Sequence, residues 1–333
     1  MRIIGIFVAA SLFTVLFSQA NVQVSSQNEQ KNAPLKNSNT DTSKPDDSLP
    51  TIRTSVREVH LIFTVTDKEG HYLKNLTQND FKLLDDHKPP EEVSSFRSET
   101  DLPLQIGLLI DTSESVKERF EFEQQAAIEF LKETIRPGYD RAFVMGFDAS
   151  PKVVQDFTDD PQKLSAGVHQ LRLGSLTAMY DAVYEACKQK LLTQPQAGPV
   201  RHAIVLLSDG NDNASSVSLA RTIDMAQRAE VSVFTISTSL TRSGGPGFKN
   251  LEKLAEATGG RSYVPMRLAG VTTAFAAIQE GLRCQYAVSY KPAAFTPNGH
   301  YRSIDLEVKT QRGLRVHCRK GYRSLESPFS PGQ

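Results

Sequence analysis

The sequence predicts an α/β fold with a doubly wound, mostly parallel sheet, and two observations support this prediction. Two nearly unbroken apolar runs, at residues 104–110 and 202–208, have the length of a strand. A strand with one face in water alternates apolar and polar residues, so unbroken runs indicate strands buried on both faces of a parallel sheet. Strand and helix patterns also alternate from residue 104 to residue 282, which is typical of βα units.

The elements of this α/β part follow from periodicity and from the residues that break it. Pro137-Gly138 ends the first helix and Gly259-Gly260 closes the fifth. The predicted strands are Leu104–Ile110, Arg141–Phe147, Val153–Phe157, His202–Ser208, Val231–Ser237 and Arg261–Val264. The predicted helices are Ser115–Ile135, Pro161–Leu171, Ala178–Leu192, Ser218–Glu230, Phe248–Thr258 and Val271–Leu282.

Short strands separated by turn residues flank the α/β part on both sides, which indicates antiparallel structure. An isolated hairpin is marginally stable, so we expect residues 51–100 and 284–325 to pack together as one small β domain. The α/β part, residues 102–283, is then an insertion between the two segments. The predicted strands are Val59–Val65, Phe81–Leu84, Val93–Phe96, Tyr286–Tyr290, Tyr301–Lys309 and Leu314–Cys318.

The N-terminal segment predicts export. Arg2 precedes an apolar run, Ile3–Phe17, and a small-x-small pattern ends at Ala20, so residues 1–20 read as a signal peptide with cleavage after Ala20. The run is shorter than the roughly 20 residues of a membrane-spanning helix, and no other stretch is long and apolar enough. Residues 21–50 are polar and predict a disordered linker. We expect a periplasmic or secreted protein with no membrane span after cleavage.

Composition narrows the possible partners. The 38 basic residues balance the 38 acidic residues, which gives no reason to expect nucleic acid or an anionic membrane as partner. The spacing of Cys and His suggests no zinc site. Cys187 lies in a helical pattern and is expected to be a buried thiol, whereas an exported protein permits a Cys284–Cys318 disulfide that the sequence alone leaves open.

Three oxygen-bearing side chains follow the first buried strand at every second position. They are Asp111, Ser113 and Ser115. In an extended loop such residues point the same way, and open α/β sheets bind ligands at the carboxyl ends of their strands. Oxygen donors suit Mg²⁺, Mn²⁺ or Ca²⁺. Capping of the next helix is the alternative role for Asp111 and Ser113.

Two further stretches favour the metal site. Thr177 supplies a hydroxyl in a glycine-containing loop, Gly174–Ala182, that leads into a helix. Asp209 follows the second buried strand directly and therefore adds a carboxylate at the same edge of the sheet.

The set Asp111, Ser113, Ser115, Thr177 and Asp209 resembles the metal-ion-dependent adhesion site of the von Willebrand factor type A family, over residues 102–283. The resemblance implies that the two serines and Thr177 contact a divalent metal, most often Mg²⁺, directly or through water. It implies that the two aspartates hold coordinating waters and hydroxyls. The threonine loop has one residue more than the common form. The flanking segments are similar to those of exported bacterial proteins with this domain.

The leading hypothesis is an exported protein-binding module in which the metal accepts a carboxylate from a partner protein. A metal-dependent hydrolase or phosphatase is an alternative, but Ser113 stands where an Asp-nucleophile phosphatase carries its acid/base aspartate. Because no G-x-S-x-G, G-x-x-x-x-G-K or H-E-x-x-H pattern is present either, we predict no enzyme activity. A third hypothesis is a scaffold in which the metal only orders loops.

Overall fold

The computed structural model describes residues 58–99, 102–193, 200–239, 245–309 and 313–324, which belong to one compact unit, Ser55–Gln333. The predicted signal peptide and linker, residues 1–20 and 21–50, lie outside the described residues. Among the described helices, none is both long and apolar enough to span a membrane.

Strands and helices are numbered here in chain order. The strands are β1 (Val59–Thr66), β2 (Phe81–Asp85), β3 (Glu92–Glu99), β4 (Leu104–Asp111), β5 (Arg141–Phe147), β6 (Pro151–Thr158), β7 (Arg201–Ser208), β8 (Val231–Ser237), β9 (Ser262–Tyr263), β10 (Gln285–Lys291), β11 (Tyr301–Val308), β12 (Arg315–Cys318) and β13 (Gly321–Arg323). The α-helices are α1 (Phe120–Thr134), α2 (Pro161–Gln170), α3 (Met179–Glu185), α4 (Leu219–Arg228), α5 (Pro246–Thr258) and α6 (Ala269–Arg283).

A six-stranded sheet in the order β6-β5-β4-β7-β8-β9 confirms the predicted doubly wound α/β fold. One apolar cluster packs α1, α2 and α6 against one face, and a second packs α3, α4 and α5 against the other. Along β4, Leu108 belongs to the first cluster and Leu109 to the second. All eight residues of β4 are buried, which explains why its sequence does not alternate.

Three predicted elements differ in detail. Strand β6 pairs antiparallel with β5 because only three residues connect them, and a parallel pair needs a crossover of a dozen residues or more. Helix α1 begins at Phe120 rather than Ser115, since a 3₁₀ turn at Glu114–Val116 comes first. Helix α3 ends at Glu185 and continues as a π-turn, Ala186–Leu191. The short strand β13 was not predicted.

The two ends of the chain form antiparallel sheets, as predicted. Their orders are β12-β1-β10-β3 and β13-β11-β2, so β1, from the N-terminal segment, lies between two C-terminal strands. One apolar cluster joins the two sheets into a sandwich. Its centre is aromatic: Phe63 stacks on Tyr286 with ring centroids 5.3 Å apart and meets Phe81 edge-on.

The strand order also shows that Cys284 and Cys318 do not form a disulfide. Phe63 of β1 is paired with Tyr286 on one side and with Cys318 on the other. Neighbouring strands are about 4.8 Å apart, so Cys284, beyond Tyr286, lies too far from Cys318 for the roughly 4.4–6.8 Å Cα separation of a disulfide. All three cysteines are buried free thiols, and burial raises the pKa of Cys318 to about 11.

Candidate metal centre

Asp111 and Ser208 are the last residues of the adjacent parallel strands β4 and β7. Asp111 is fully buried. Its Oδ2 accepts a hydrogen bond from the Ser208 hydroxyl at 2.6 Å, and its Oδ1 accepts one from the Ser113 backbone N–H at 2.9 Å. Both contacts fix the carboxylate at the carboxyl-terminal edge of the sheet, where α/β folds bind ligands.

The hydroxyls of Ser113 and Ser115 lie 3.0 Å apart. The backbone is extended at Ser113 and then enters the 3₁₀ turn Glu114–Val116, so the predicted extended loop is found only at its first serine. The turn nevertheless brings the two hydroxyls together. Ser113 is buried whereas Ser115 is exposed, and this pair therefore reaches from the buried Asp111 to solvent.

Backbone hydrogen bonds hold the Thr177 loop between the loops that follow β4 and β7. The Gly174 N–H donates to the Thr112 carbonyl at 2.7 Å. On the other side, the Thr177 N–H donates to Asn213 Oδ1 at 2.8 Å, and the Thr177 carbonyl accepts from the Asn213 N–H at 3.0 Å. A Cβ atom at Gly174 would collide with the Asp148 carboxylate, so only glycine permits this close approach.

Asp209 is half-buried directly after β7, and its Oδ1 accepts a hydrogen bond from the Asn211 N–H at 2.9 Å. Its charge acts on Asp111. Burial is the main cause that raises the pKa of Asp111 to about 6; the contacts from Ser208 and Ser113 lower it, and the charge of Asp209 raises it. Two carboxylates thus share one site, and burial makes the charge of Asp111 costly.

Sequence reasoning missed a buried carboxylate beside this site, Glu123 of α1. Among the described residues, neither of its carboxylate oxygens has a hydrogen-bond partner, and Arg119 Nε is 3.5 Å away. Burial raises the pKa of Glu123 to about 8; Arg119 lowers it, while Asp111 and Asp209 raise it. An available signal was the helical spacing, because an acidic residue three positions after Phe120 falls on the apolar face of the helix.

Two other aspartates near the site hold loops in place. Asp212 Oδ2 accepts hydrogen bonds from the Tyr180 N–H at 2.9 Å and from the Ser215 hydroxyl at 2.6 Å. Asp181 accepts from the backbone N–H groups of Ser216 and Val217. Because their acceptor atoms are used within the loops, neither is a first choice as a metal ligand.

The residues present fit a hard divalent cation. Asp111 and Asp209 form no ion pair with a basic side chain of the described chain, so a buried negative charge lacks a counterion. Three hydroxyls and two carboxylates are the donor types that Mg²⁺, Mn²⁺ and Ca²⁺ prefer. The described residues contain no group of three or more His, Cys, Asp and Glu placed to hold a metal, so hydroxyl oxygens are essential to any site here.

Comparison with known proteins identifies a family for this part of the chain. The model of the von Willebrand factor type A domain matches residues 105–276, just over half of the 333 residues. No curated protein matches the sequence.

Solved structures with a similar fold come from several organisms. Proximal thread matrix protein 1 from the mussel byssus, with a zinc-occupied MIDAS motif, is 15% identical with a TM-score of 0.47, covering 60% of this chain and 49% of that one. A von Willebrand factor type A protein from Catenulispora acidiphila is 14% identical with a TM-score of 0.47, covering 75% of each chain. The PilB minor pilin from Streptococcus sanguinis is 15% identical with a TM-score of 0.44, covering 59% and 63%. This chain therefore spans about half of the length of the byssus protein.

Proposed function

Because the chain belongs to the von Willebrand factor type A domain family, we propose that it is a protein-binding module with a metal-ion-dependent adhesion site. The metal residues of this proposal are Asp111, Ser113, Ser115, Thr177 and Asp209. Domains of this family typically mediate protein–protein interaction. We propose Mg²⁺ as the cation, with Mn²⁺ or Ca²⁺ as substitutes, and a carboxylate of a partner protein as the ligand. We also propose that the protein is exported.

One observation carries this proposal: Asp111 is a buried carboxylate whose partners are all neutral. Ser208 and the Ser113 backbone donate to it, but neutral donors only partly offset the cost of burying a charge. A divalent cation beside the Ser113 and Ser115 hydroxyls would neutralise Asp111 and Asp209 together. Among the described residues, no basic side chain forms an ion pair with either aspartate, so without a cation it is protonation that neutralises Asp111.

The gradient of exposure sets the direction from which a partner would approach. Asp111, Ser113 and Thr177 are buried, Asp209 is half-buried and Ser115 is exposed. A cation held by these residues would face solvent on the Ser115 side. When bound, it supplies positive charge for a carboxylate from outside, and because three of the five proposed donors are neutral hydroxyls, that charge is not cancelled in advance.

Thermal unfolding in EDTA and then with Mg²⁺, Mn²⁺ or Ca²⁺ tests the site. A ligand that binds only the folded state adds about 2.7 kcal/mol at 100 times its dissociation constant. We expect a metal-dependent rise in Tm for the wild-type chain and none for Thr177→Ala or Asp111→Asn. Glu118→Gln, at an exposed position three residues after Ser115, is the control and should keep the rise. A wild-type Tm that no ion shifts would refute the metal site.

Two further measurements address the remaining parts of the proposal. Metal-dependent capture of a partner that Thr177→Ala loses while it stays folded supports the binding module, whereas loss of fold without metal supports the scaffold hypothesis. Hydrolysis of phosphate or carboxylic esters that depends on Thr177 would instead establish an enzyme. For export, we expect the mature protein to begin at Asn21; an intact N-terminus in exported material would contradict the predicted cleavage.

A further inference from the structure

The β sandwich is open on one side, between strands β2 and β3. These strands follow each other in the chain but belong to different sheets, and each is an outer strand: among the described strands, β2 pairs only with β11 and β3 only with β10. The space between them is a groove of about 510 Å³. It is lined by residues of both strands and lies between their outer edges. Among the described strands, none pairs with the outer edge of β3. At β2, the Phe81 N–H donates to the Gln78 carbonyl and Asp85 exchanges backbone hydrogen bonds with Lys88, so only the middle of that edge is open.

The floor of the groove is apolar and belongs to the sandwich core. Phe63, Phe81, Val288 and Leu306 are buried there. On the walls, apolar side chains of both edge strands remain partly exposed; they are Leu83, Leu84, Val93 and Phe96. In a closed sandwich the inner faces of both sheets are covered, and apolar surface left in water costs about 25 cal/mol per Å².

The two ends of the groove differ in chemistry. At the end where β2 begins, exposed Lys82 and Lys309 line the groove, together with the side-chain amides of Gln78 and Asn79. At the other end the lining is apolar, with Pro89, Pro90 and Val93. No acidic residue of the described chain lines the groove. An occupant therefore meets two positive charges at one end and apolar side chains at the other.

We propose that this groove binds an extended segment of a partner protein that has apolar side chains at alternate positions and a carboxylate at the end near Lys82 and Lys309. The outer edge of β3 offers main-chain hydrogen bonds, and pockets between the sheets accept every second side chain, which is how a strand is added to an existing sheet. The five residues of β2 limit the added strand to about 17 Å. This site is separate from the metal centre and does not depend on it.

A direct test uses the full chain and a fluorescein-labelled hexapeptide with capped ends, valine at alternate positions and aspartate at one terminus. A second peptide carries aspartate at the other terminus, because strand direction is not specified by the groove. Fluorescence anisotropy should show saturable binding of at least one of them. Replacing its aspartate by lysine should weaken binding about tenfold, since attraction to two lysines becomes repulsion.

Variants of the chain locate the binding. Val93→Arg places a long charged side chain in the groove and should abolish binding, whereas Ser94→Arg, at the exposed neighbouring position, should not. Lys82→Glu together with Lys309→Glu should weaken binding of the peptide with aspartate and strengthen binding of the peptide in which lysine replaces that aspartate. The matched control reverses two exposed lysines of the α/β part, Lys152→Glu with Lys163→Glu. All of these substitutions are at exposed or half-exposed positions, so circular dichroism should confirm that each variant folds.

Three results would overturn the proposal. The first is no binding of either aspartate peptide at millimolar concentration. The second is binding that Val93→Arg leaves unchanged. The third is saturable binding of decanoate, a small apolar acid, that Val93→Arg abolishes while neither peptide binds, which would make the groove a small-molecule site instead.

Discussion

Two buried aspartates end strands in different parts of this molecule, and their surroundings are opposite in kind. Asp85, at the end of β2 in the sandwich, accepts hydrogen bonds from Arg302 Nε at 2.6 Å and from the hydroxyls of Tyr290 and Tyr322, both at 2.8 Å. Asp111, at the end of β4, accepts from a serine hydroxyl and a backbone N–H, and no cation of the described residues pairs with it. The fold itself supplies the cation for Asp85 and leaves Asp111 without one.

This difference distinguishes a buried charge that the fold compensates, at Asp85, from one that it does not compensate, at Asp111. A buried ion pair with satisfied hydrogen bonds can be accommodated within a fold, whereas an uncompensated buried charge is retained only at a cost. The sandwich network is complete and internal. At the edge of the α/β sheet, no basic side chain of the described residues pairs with Asp111 or Asp209, and the proposed divalent cation would provide the positive charge.

The largest expected effect breaks the sandwich network. Asp85→Asn removes the anion beside the buried Arg302 guanidinium, and breaking a buried pair costs about 3–5 kcal/mol. Urea unfolding in EDTA should show this loss, and Mg²⁺ should not restore it. Asp305→Asn, at an exposed position of the same sheet, is the control and should stay within about 0.5 kcal/mol of the wild type. An Asp85 variant as stable as the control would mean that the buried Arg302 does not depend on Asp85 as its counterion.

A second prediction concerns the stability of the sandwich at acidic pH. Burial, followed by the charges of Arg261, Lys320 and Arg315, lowers the pKa of His317 to about 4. The unfolded chain, with the pKa near 6.5, therefore takes up a proton first. Stability is fully present above about pH 6.5 and falls toward about pH 4, by up to about 3 kcal/mol. His317→Gln should flatten this part of the curve of unfolding free energy against pH; an unchanged slope would contradict the prediction.

The sequence predicts those features of the fold that depend on local patterns of apolar residues better than those that depend on contacts between distant residues. The unbroken run of β4 predicted a strand covered on both faces, and alternation at both chain ends predicted sheets that needed each other as partners. No direction was predicted for β6, although the three-residue connection after Phe147 carried that information. The beginning of α1 was missed because Val116, in the 3₁₀ turn, lies four positions before Phe120, which is the apolar spacing of an α-helix.

The candidate site was predictable where it is local in the chain. Asp111, Ser113 and Ser115 adjoin one strand, and the parallel-sheet rule brought Asp209 to the same edge. Glu123 and Asn213 were not found. The position of Glu123 beside the site depends on how α1 packs, and the role of Asn213 depends on its contact with the Thr177 loop, so neither can be read from the local sequence. The role of Asp85 was hidden for the same reason: its partner Arg302 lies 217 positions away.

A third prediction tests Asp111 without its cation. Since burial raises the pKa of Asp111 to about 6, the folded state holds its proton more tightly than the unfolded chain, and stability falls as the pH rises from about 4 to 6. In EDTA at about pH 8, Asp111→Asn should therefore be more stable than the wild type, by about 3 kcal/mol. Near pH 4 the two should be equal. A wild type more stable than Asp111→Asn at pH 8 would mean that the charge of Asp111 is already balanced within the chain, as the charge of Asp85 is by Arg302.

The smallest expected effect concerns Glu123. Its raised pKa, near 8, means that metal-free stability falls further between about pH 6 and 8, where Asp111 has finished titrating. Glu123→Gln removes the charge but leaves Arg119 buried without its partner, so the net change at pH 8 is about 1 kcal/mol or less. The slope above pH 6 is the sharper readout: urea unfolding in EDTA should show it in the wild type and not in the variant. Glu129→Gln, on the same helix, should keep the slope. If both variants keep it, the pH dependence arises elsewhere, and Glu123 takes no part in the charge imbalance at the edge of the sheet.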